Sequence, residues 1–144
     1  MAEKQNYQNH TRWYPLVHFV IFPLLVINLL CHLVRLVWAP TIDRGFWTLL
    51  SVVLALMVLA GRQQALKAQD RTIRLEERLR YKELLTPELA KRASELPTGK
   101  IIALRFASDE ELADLINKVL DGKLNTSKEI KMAVKNWRGD YLRV

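Results

Sequence analysis

Four side chains stand where they are costly. The stretch PLVHFVIFPLLVINLLCHLVRLVW, Pro15 to Trp38, is apolar enough to lie in lipid, yet it carries His18, Asn28, His32 and Arg35. In hydrocarbon each of these needs a partner. With Ile21 and Leu25 they fall at alternating steps of three and four, which puts all six on one helical stripe. Cys31 sits beside it. A stripe of this kind faces protein or water rather than acyl chains. Its most active groups are the two imidazoles, which can ligate a metal-bearing macrocycle or exchange hydrogen bonds with a neighbouring helix.

The ligation reading is haem or chlorophyll at His18 and His32. Fourteen residues separate them, about 21 Å along a helix axis, so each leaflet receives one imidazole. The spacing resembles that on the haem-carrying helices of the cytochrome b family, and the resemblance is confined to these two residues. Two bis-histidine haems need matching histidines on a second helix. The next apolar run has none, so only a parallel homodimer supplies them. The other reading is interhelical hydrogen bonding, at about 1 kcal/mol per contact. Thr48 and Ser51 of the second run lie toward the Asn28 to Arg35 end and are within reach of it. His18 lies at the opposite end, where that run offers no polar side chain; interfacial water or another polypeptide is the expected partner. Arg35 is expected to extend toward the headgroups.

These residues are positioned by two membrane spans, Pro15 to Val37 and Phe46 to Ala60, joined by an outer loop from Ala39 to Gly45. Span one covers about 35 Å at ~1.5 Å per residue, enough for a ~30 Å core. Pro23 is expected to kink it. Pro40 and Gly45 are the expected turn residues. Trp13 and Tyr14 before span one, and Trp38 and Trp47 around the loop, suit the two headgroup layers; mutual packing of Trp38 and Trp47 is compatible with this. The loop side carries Arg35 and Arg44. The other side carries Lys4 and Arg12, then Arg62, Lys67, Arg71, Arg74 and Arg78. The positive-inside rule puts both termini in the cytoplasm. The polar, long start MAEKQNYQNHTRWYP argues for a retained span rather than a cleaved signal. One cysteine allows no internal disulfide.

The chain is thus expected to be an all-α membrane protein: an N-terminal segment (1–14), a transmembrane hairpin (15–61), a basic cytoplasmic helix (62–85) continuing span two, and a small helical cytoplasmic domain (86–144). From Arg62 onward, 18 Lys or Arg stand against 13 Asp or Glu. Segment 62–85 lacks proline and is rich in helix formers. Asp70 with Arg74, and Glu76 with Arg80, are candidate i,i+4 ion pairs. Ala65, Ala68, Thr72, Leu75 and Leu79 form a three–four stripe, expected to pack on the chain's own domain, with a short coiled-coil seam as the alternative. Thr86-Pro87 opens a helix, and Pro97-Thr98-Gly99 breaks it. Lys100 to Ala107 reads as a further helix, since no second strand candidate exists. Ser108 with Glu111, and Thr126 with Glu129, are capping boxes. Leu112, Leu115, Ile116, Val119 and Leu120 form one apolar face, ended by Gly122. Ile130, Ala133, Val134 and Trp137 form another. A core this small is marginal alone.

Familiar motifs fail on inspection. Thr98-Gly99-Lys100 lacks the upstream glycine and following hydroxyl of a phosphate loop, holding Ser94 and Ile101 there. Arg138-Gly139-Asp140 is a chance triplet. The histidines at 10, 18 and 32 have no metal-site partners nearby, and no nucleophile–base pair is readable. A helix-turn-helix over 108–138 would mix its basic residues with its core face. Neither enzymatic activity nor nucleic-acid binding is expected.

The stretches QNYQNHTRWYPLVHFVIFPL, QDRTIRLEERLR, IALRFASDEEL and IKMAVKNWRGDYLRV resemble a family of small bacterial two-span membrane proteins known only as a domain of unknown function. The resemblance runs along nearly the whole chain. It implies a bacterial inner-membrane protein of this topology and transfers no activity, cofactor or catalytic residue. The expected role is a non-catalytic interaction or accessory subunit. Its contact surfaces would be the polar stripe and helix 62–85, its partners the bilayer and another membrane protein or a second copy of itself.

Overall fold

A computed structural model of the chain describes residues 5–9 and 13–140. These residues form six helices, here α1 (Leu16–Trp38), α2 (Ile42–Leu84), α3 (Pro87–Ser94), α4 (Thr98–Leu104), α5 (Asp109–Leu120) and α6 (Ser127–Ala133). Among them the only β-pairing is one isolated bridge, Ala107 to Trp137. The described residues divide into two compact units within α2: residues 13–66, and residues 67–140 with 5–9. Helices α1 and α2 are each long and apolar enough to cross a membrane. Lys4 and Arg12, used above for orientation, and His10 lie outside the described residues.

In the first unit, α1 starts as a π-helix over Leu16–Ile21 and continues as an α-helix over Phe22–Trp38. The Phe22 N–H reaches back to Val17 O, one residue further than an α-helix allows. The cause lies next door. Pro23 has no N–H for the usual bond to residue 19, and its ring crowds that carbonyl. Widening the preceding turn accommodates both, as π-bulges commonly do.

The joint between the spans is shorter than expected. It comprises residues 39–41, and Gly45 lies inside α2 rather than in a turn. Thr41 moves the start forward. Its Oγ1 accepts the Arg44 N–H at 3.3 Å and its carbonyl accepts the Gly45 N–H at 3.0 Å, so it acts as the N-cap. Past Gly61 the helix continues, as expected. One glycine costs about 1 kcal/mol in a helix, too little to stop a run of strong helix formers, and α2 continues unbroken to Leu84.

The second unit is built from the end of α2 and the four short helices. Its centre is Ile101, Leu104, Leu112, Ile116 and Ile130, all fully buried, with Tyr81 reaching in from α2. The expected N-terminal devices operate: Thr86 Oγ1 accepts the Leu89 N–H, Glu111 accepts the Ser108 N–H, and Thr126 and Glu129 cap reciprocally. Gly122, at φ +74°, ends α5 in the left-handed conformation that glycine tolerates best. Gly99 serves differently. It lies in the first turn of α4, and Ser127 Oγ approaches so closely (3.2 Å from where a Cβ would stand) that it bonds the Gly99 carbonyl at 2.9 Å.

The last helix is shorter than its apolar pattern suggests. α6 ends at Ala133, and Val134 is extended. The N–H groups of Lys135 and Asn136 leave the helical ladder for the Glu111 carboxylate, at 3.1 and 3.0 Å. The following bridge, with Arg138 N–H on Phe106 O at 2.8 Å, sets the Trp137 ring 4.8 Å from Phe106. Trp137 therefore joins the core from an extended segment, not from a helix face.

Candidate interaction surfaces

Within the polar stripe of α1, Asn28 finds a side-chain partner on α2 and His32 a ring to stack on. Ser51 Oγ lies 2.7 Å from Asn28 Oδ1 and 2.9 Å from the Trp47 carbonyl. A hydroxyl has one proton. If Ser51 gives it to Trp47 O, Asn28 completes the pair by turning its amide NH₂ toward Ser51 Oγ. Thr48 Oγ1 donates to Arg44 O at 2.8 Å and stands 3.3 Å from His32 O. Ser51 and Thr48 are buried, at 4% and 7% exposure, so this polar layer is enclosed between the two helices. The His32 ring stacks nearly parallel on Trp47, centroids 6.2 Å apart.

His18 belongs to a separate cluster. Its Nδ1 lies 2.9 Å from Tyr14 O and 3.2 Å from Tyr14 N, and its ring meets Trp13 edge-on at 5.0 Å. It closes the first turn of α1 rather than reaching toward a second helix. Arg35 is exposed beside a cavity of about 530 Å³ lined also by His32, Thr41, Asp43, Arg44 and Trp47. Arg44 has a role that charge counting missed. Its Nη1 donates to Ala39 O at 2.6 Å and Arg35 O at 3.1 Å, so a cation covers the open carbonyls at the end of α1. Cys31 is exposed. Trp13, Tyr14 and Trp38 are exposed too, Trp38 by 84%, so Trp38 and Trp47 are not packed together.

Along α2, Lys67 and Arg71 are exposed and Arg62, Arg74 and Arg78 half-buried; Arg78 Nη2 donates to Ser94 O at 2.9 Å. The apolar stripe of this helix faces the opposite way from expectation. Leu75 is 61% and Leu79 53% exposed, and Ala65, Ala68 and Thr72 are exposed with them. The face packed on the unit is Ile73, Glu77, Arg80 and Tyr81. It escaped periodicity because two of its four residues are charged.

Those two charges organise a largely buried network. The expected pairs Asp70–Arg74 and Glu76–Arg80 do not form. Arg80 turns inward. Its Nε donates to Asp109 Oδ1 at 2.8 Å, Nη2 to Ala107 O at 2.7 Å, and Nη1 to Glu77 Oε2 at 3.3 Å. Glu77 Oε1 also lies 3.7 Å from Arg138 Nη1, and Arg105 pairs with Asp140 at 3.1 Å. An exposed i,i+4 pair contributes only tenths of a kcal/mol, whereas the buried guanidinium must be paired wherever it lies. The charges border a cleft of about 480 Å³ that opens beside Gly139. In it acid and base cancel, so it presents no single sign to a ligand. Among the described residues no group of His, Cys, Asp or Glu is placed to hold a metal ion.

Burial raises the Glu77 carboxyl above its ordinary value of 4.5; Arg80, Arg138 and Arg105 pull it down without cancelling that effect. Burial and the Glu77 charge likewise raise the Tyr81 hydroxyl. The folded state then holds the Glu77 proton at pH values where the unfolded chain has lost it. Stability from this group is greatest below 4.5 and declines as pH rises through the folded-state value. Glu77→Gln should remove that slope. Thermal midpoints of the two proteins between about pH 4 and 8 check this: the wild type gains on the variant upon acidification, and parallel curves would refute the assignment.

A family model described as Family of unknown function (DUF6526) matches residues 1–144, and the chain belongs to that family. No curated protein and no solved structure matches it.

Proposed function

We propose that this member of a family of unknown function is a non-catalytic membrane protein of the bacterial inner membrane that binds a membrane partner or a second copy of itself. In this reading α1 and the first part of α2 are the two spans, and both termini are cytoplasmic. The basic helical unit is presented on the inner side. The apolar, exposed flanks of α1 and α2, such as Leu24, Leu30, Leu56 and Met57, suit lipid. The cluster Arg62, Lys67, Arg71, Arg74 and Arg78 after the second span supports the orientation.

The observation that carries the interaction role is the exposure of Leu75 and Leu79 on α2, beyond the apolar run. Two large aliphatic side chains one turn apart, on a helix whose other face already builds a core, form a contact face left over after folding. The polar stripe of α1 gives less support, because Asn28 pairs with Ser51, the His32 ring stacks on Trp47 and His18 bonds the Tyr14 backbone. The full-length chain, extracted from its native membrane in mild detergent, should run with a companion or as an oligomer. A solitary monomer at every detergent concentration overturns the proposal. The visible spectrum of the same sample addresses the ligation of haem or chlorophyll through His18 and His32: a Soret or chlorophyll band lost in His18→Ala or His32→Ala would replace this reading with a redox or pigment carrier.

A further inference from the structure

We infer that the exposed stripe of α2 is the seam of a parallel, in-register coiled coil with a second copy of this chain. The inference rests on the interaction role proposed above and names the partner. With Ala65 as position a of a heptad, Ala68 and Leu75 fall at d, and Thr72 and Leu79 at a. The residues α2 buries in its own unit are Ile73 and Arg80 at b, Tyr81 at c and Glu77 at f. These are the positions that point away from a coiled-coil axis. Packing the unit and pairing the helix therefore use opposite faces, and neither obstructs the other.

Charge selects the partner and its direction. Arg71 and Arg78 occupy g; Glu76 and Glu83 occupy the e positions five residues later. In a parallel homodimer g of one helix meets the following e of the other, so Arg71 faces Glu76 and Arg78 faces Glu83 across the seam. In an antiparallel pair like positions meet, arginine against arginine and glutamate against glutamate. The pattern is thus complementary to itself in parallel and not in antiparallel pairing. Arg71 and Glu76 are both exposed and ready to pair; Arg78 is half-buried with Nη2 on Ser94 O, so the Arg71–Glu76 pair is the more accessible of the two. Two copies inserted in one membrane with the same topology meet in this direction. A seam of about two heptads is weak in free solution. Anchoring both copies in one bilayer raises their effective concentration and compensates for that.

The test uses the full-length chain in its membrane with the native cysteine removed by Cys31→Ser. Thr72→Cys, at a, should form a disulfide-linked dimer under mild oxidation, and Lys67→Cys, at c, should not. Adding Leu75→Lys with Leu79→Lys should lower the Thr72→Cys dimer by roughly tenfold or more, since those leucines are its main buried apolar groups. Both are exposed in the single chain, so folding is not at stake. Glu76→Arg should weaken the dimer, and Arg71→Glu with Glu76→Arg should restore it, which a general loss of structure would not. Equal linking at 67 and 72, no linking at 72, or linking indifferent to the leucine changes overturns the inference. If linking fails while the native extract still holds a companion of different sequence, the interaction role stands and only the self-pairing falls. If both fail, both readings are wrong.

Discussion

Arg80→Ala is expected to unfold the helical unit while leaving the hairpin of α1 and the first part of α2 formed. The guanidinium is 8% exposed and serves three elements at once: Glu77 on α2, Asp109 at the start of α5, and the Ala107 carbonyl between α4 and α5. Truncation strands Glu77, only 4% exposed, with Arg138 at 3.7 Å as its remaining cation. Removing one member of a buried pair costs about 3–5 kcal/mol, because the other charge stays desolvated. A small domain has about 5–15 kcal/mol in all, so the variant keeps little. Limited proteolysis of the detergent-solubilised protein reads this directly, with new cuts between residues 86 and 138. The pairing argument makes a second claim. Arg80→Met combined with Glu77→Leu should recover much of the loss, since a matched apolar pair strands no charge. Equal protease resistance in wild type and Arg80→Ala would show that the network carries no stability.

Phe106→Ala should cost about 3–5 kcal/mol, the usual range for deleting a buried aromatic ring. Phe106 is fully buried, with Trp137 at 4.8 Å and the Arg105 guanidinium 4.5 Å from its centroid. The ring is the anchor for the extended segment after α6, whose backbone is held to this turn by the Arg138 N–H and by Glu111. Losing it opens a cavity and frees Trp137 together. Chemical denaturation followed by tryptophan fluorescence should show a lower midpoint and an altered native signal. Phe106→Leu, which refills part of the space, should fall between. A midpoint within about 1 kcal/mol of wild type would place the effect among ordinary surface changes and refute the anchoring role.

Much of the architecture could be read from the residues. The two apolar runs, Thr86-Pro87, the Ser108 and Thr126 boxes and Gly122 are local signals, and local physics decides them: a helix needs its first N–H groups satisfied and its last residue freed. The errors share a different cause. Gly45 reads as a turn residue, but the capping oxygen of Thr41 starts the helix ahead of it. The face of α2 was assigned from apolar periodicity alone. Where the true buried face uses Glu77 and Arg80, that rule points to the wrong side. The role of Glu111 in drawing off the N–H groups of Lys135 and Asn136 joins residues 24 and 25 positions apart, and no local pattern announces it.

By itself the chain of amino acids determined its helical class, its two potential spans, most helix ends and the heptad charge pattern of α2, because hydrophobicity, capping and charge act over a few residues. Tertiary structure alone decided which face of α2 is buried, that Arg80 belongs inside, that Arg44 closes α1, and that Asn28 is the stripe residue that Ser51 meets. Each of these is a choice among partners distant in sequence. It is settled by the cost of leaving a buried charge or a helix-end carbonyl unpaired, and that cost exists only once the chain has folded around it.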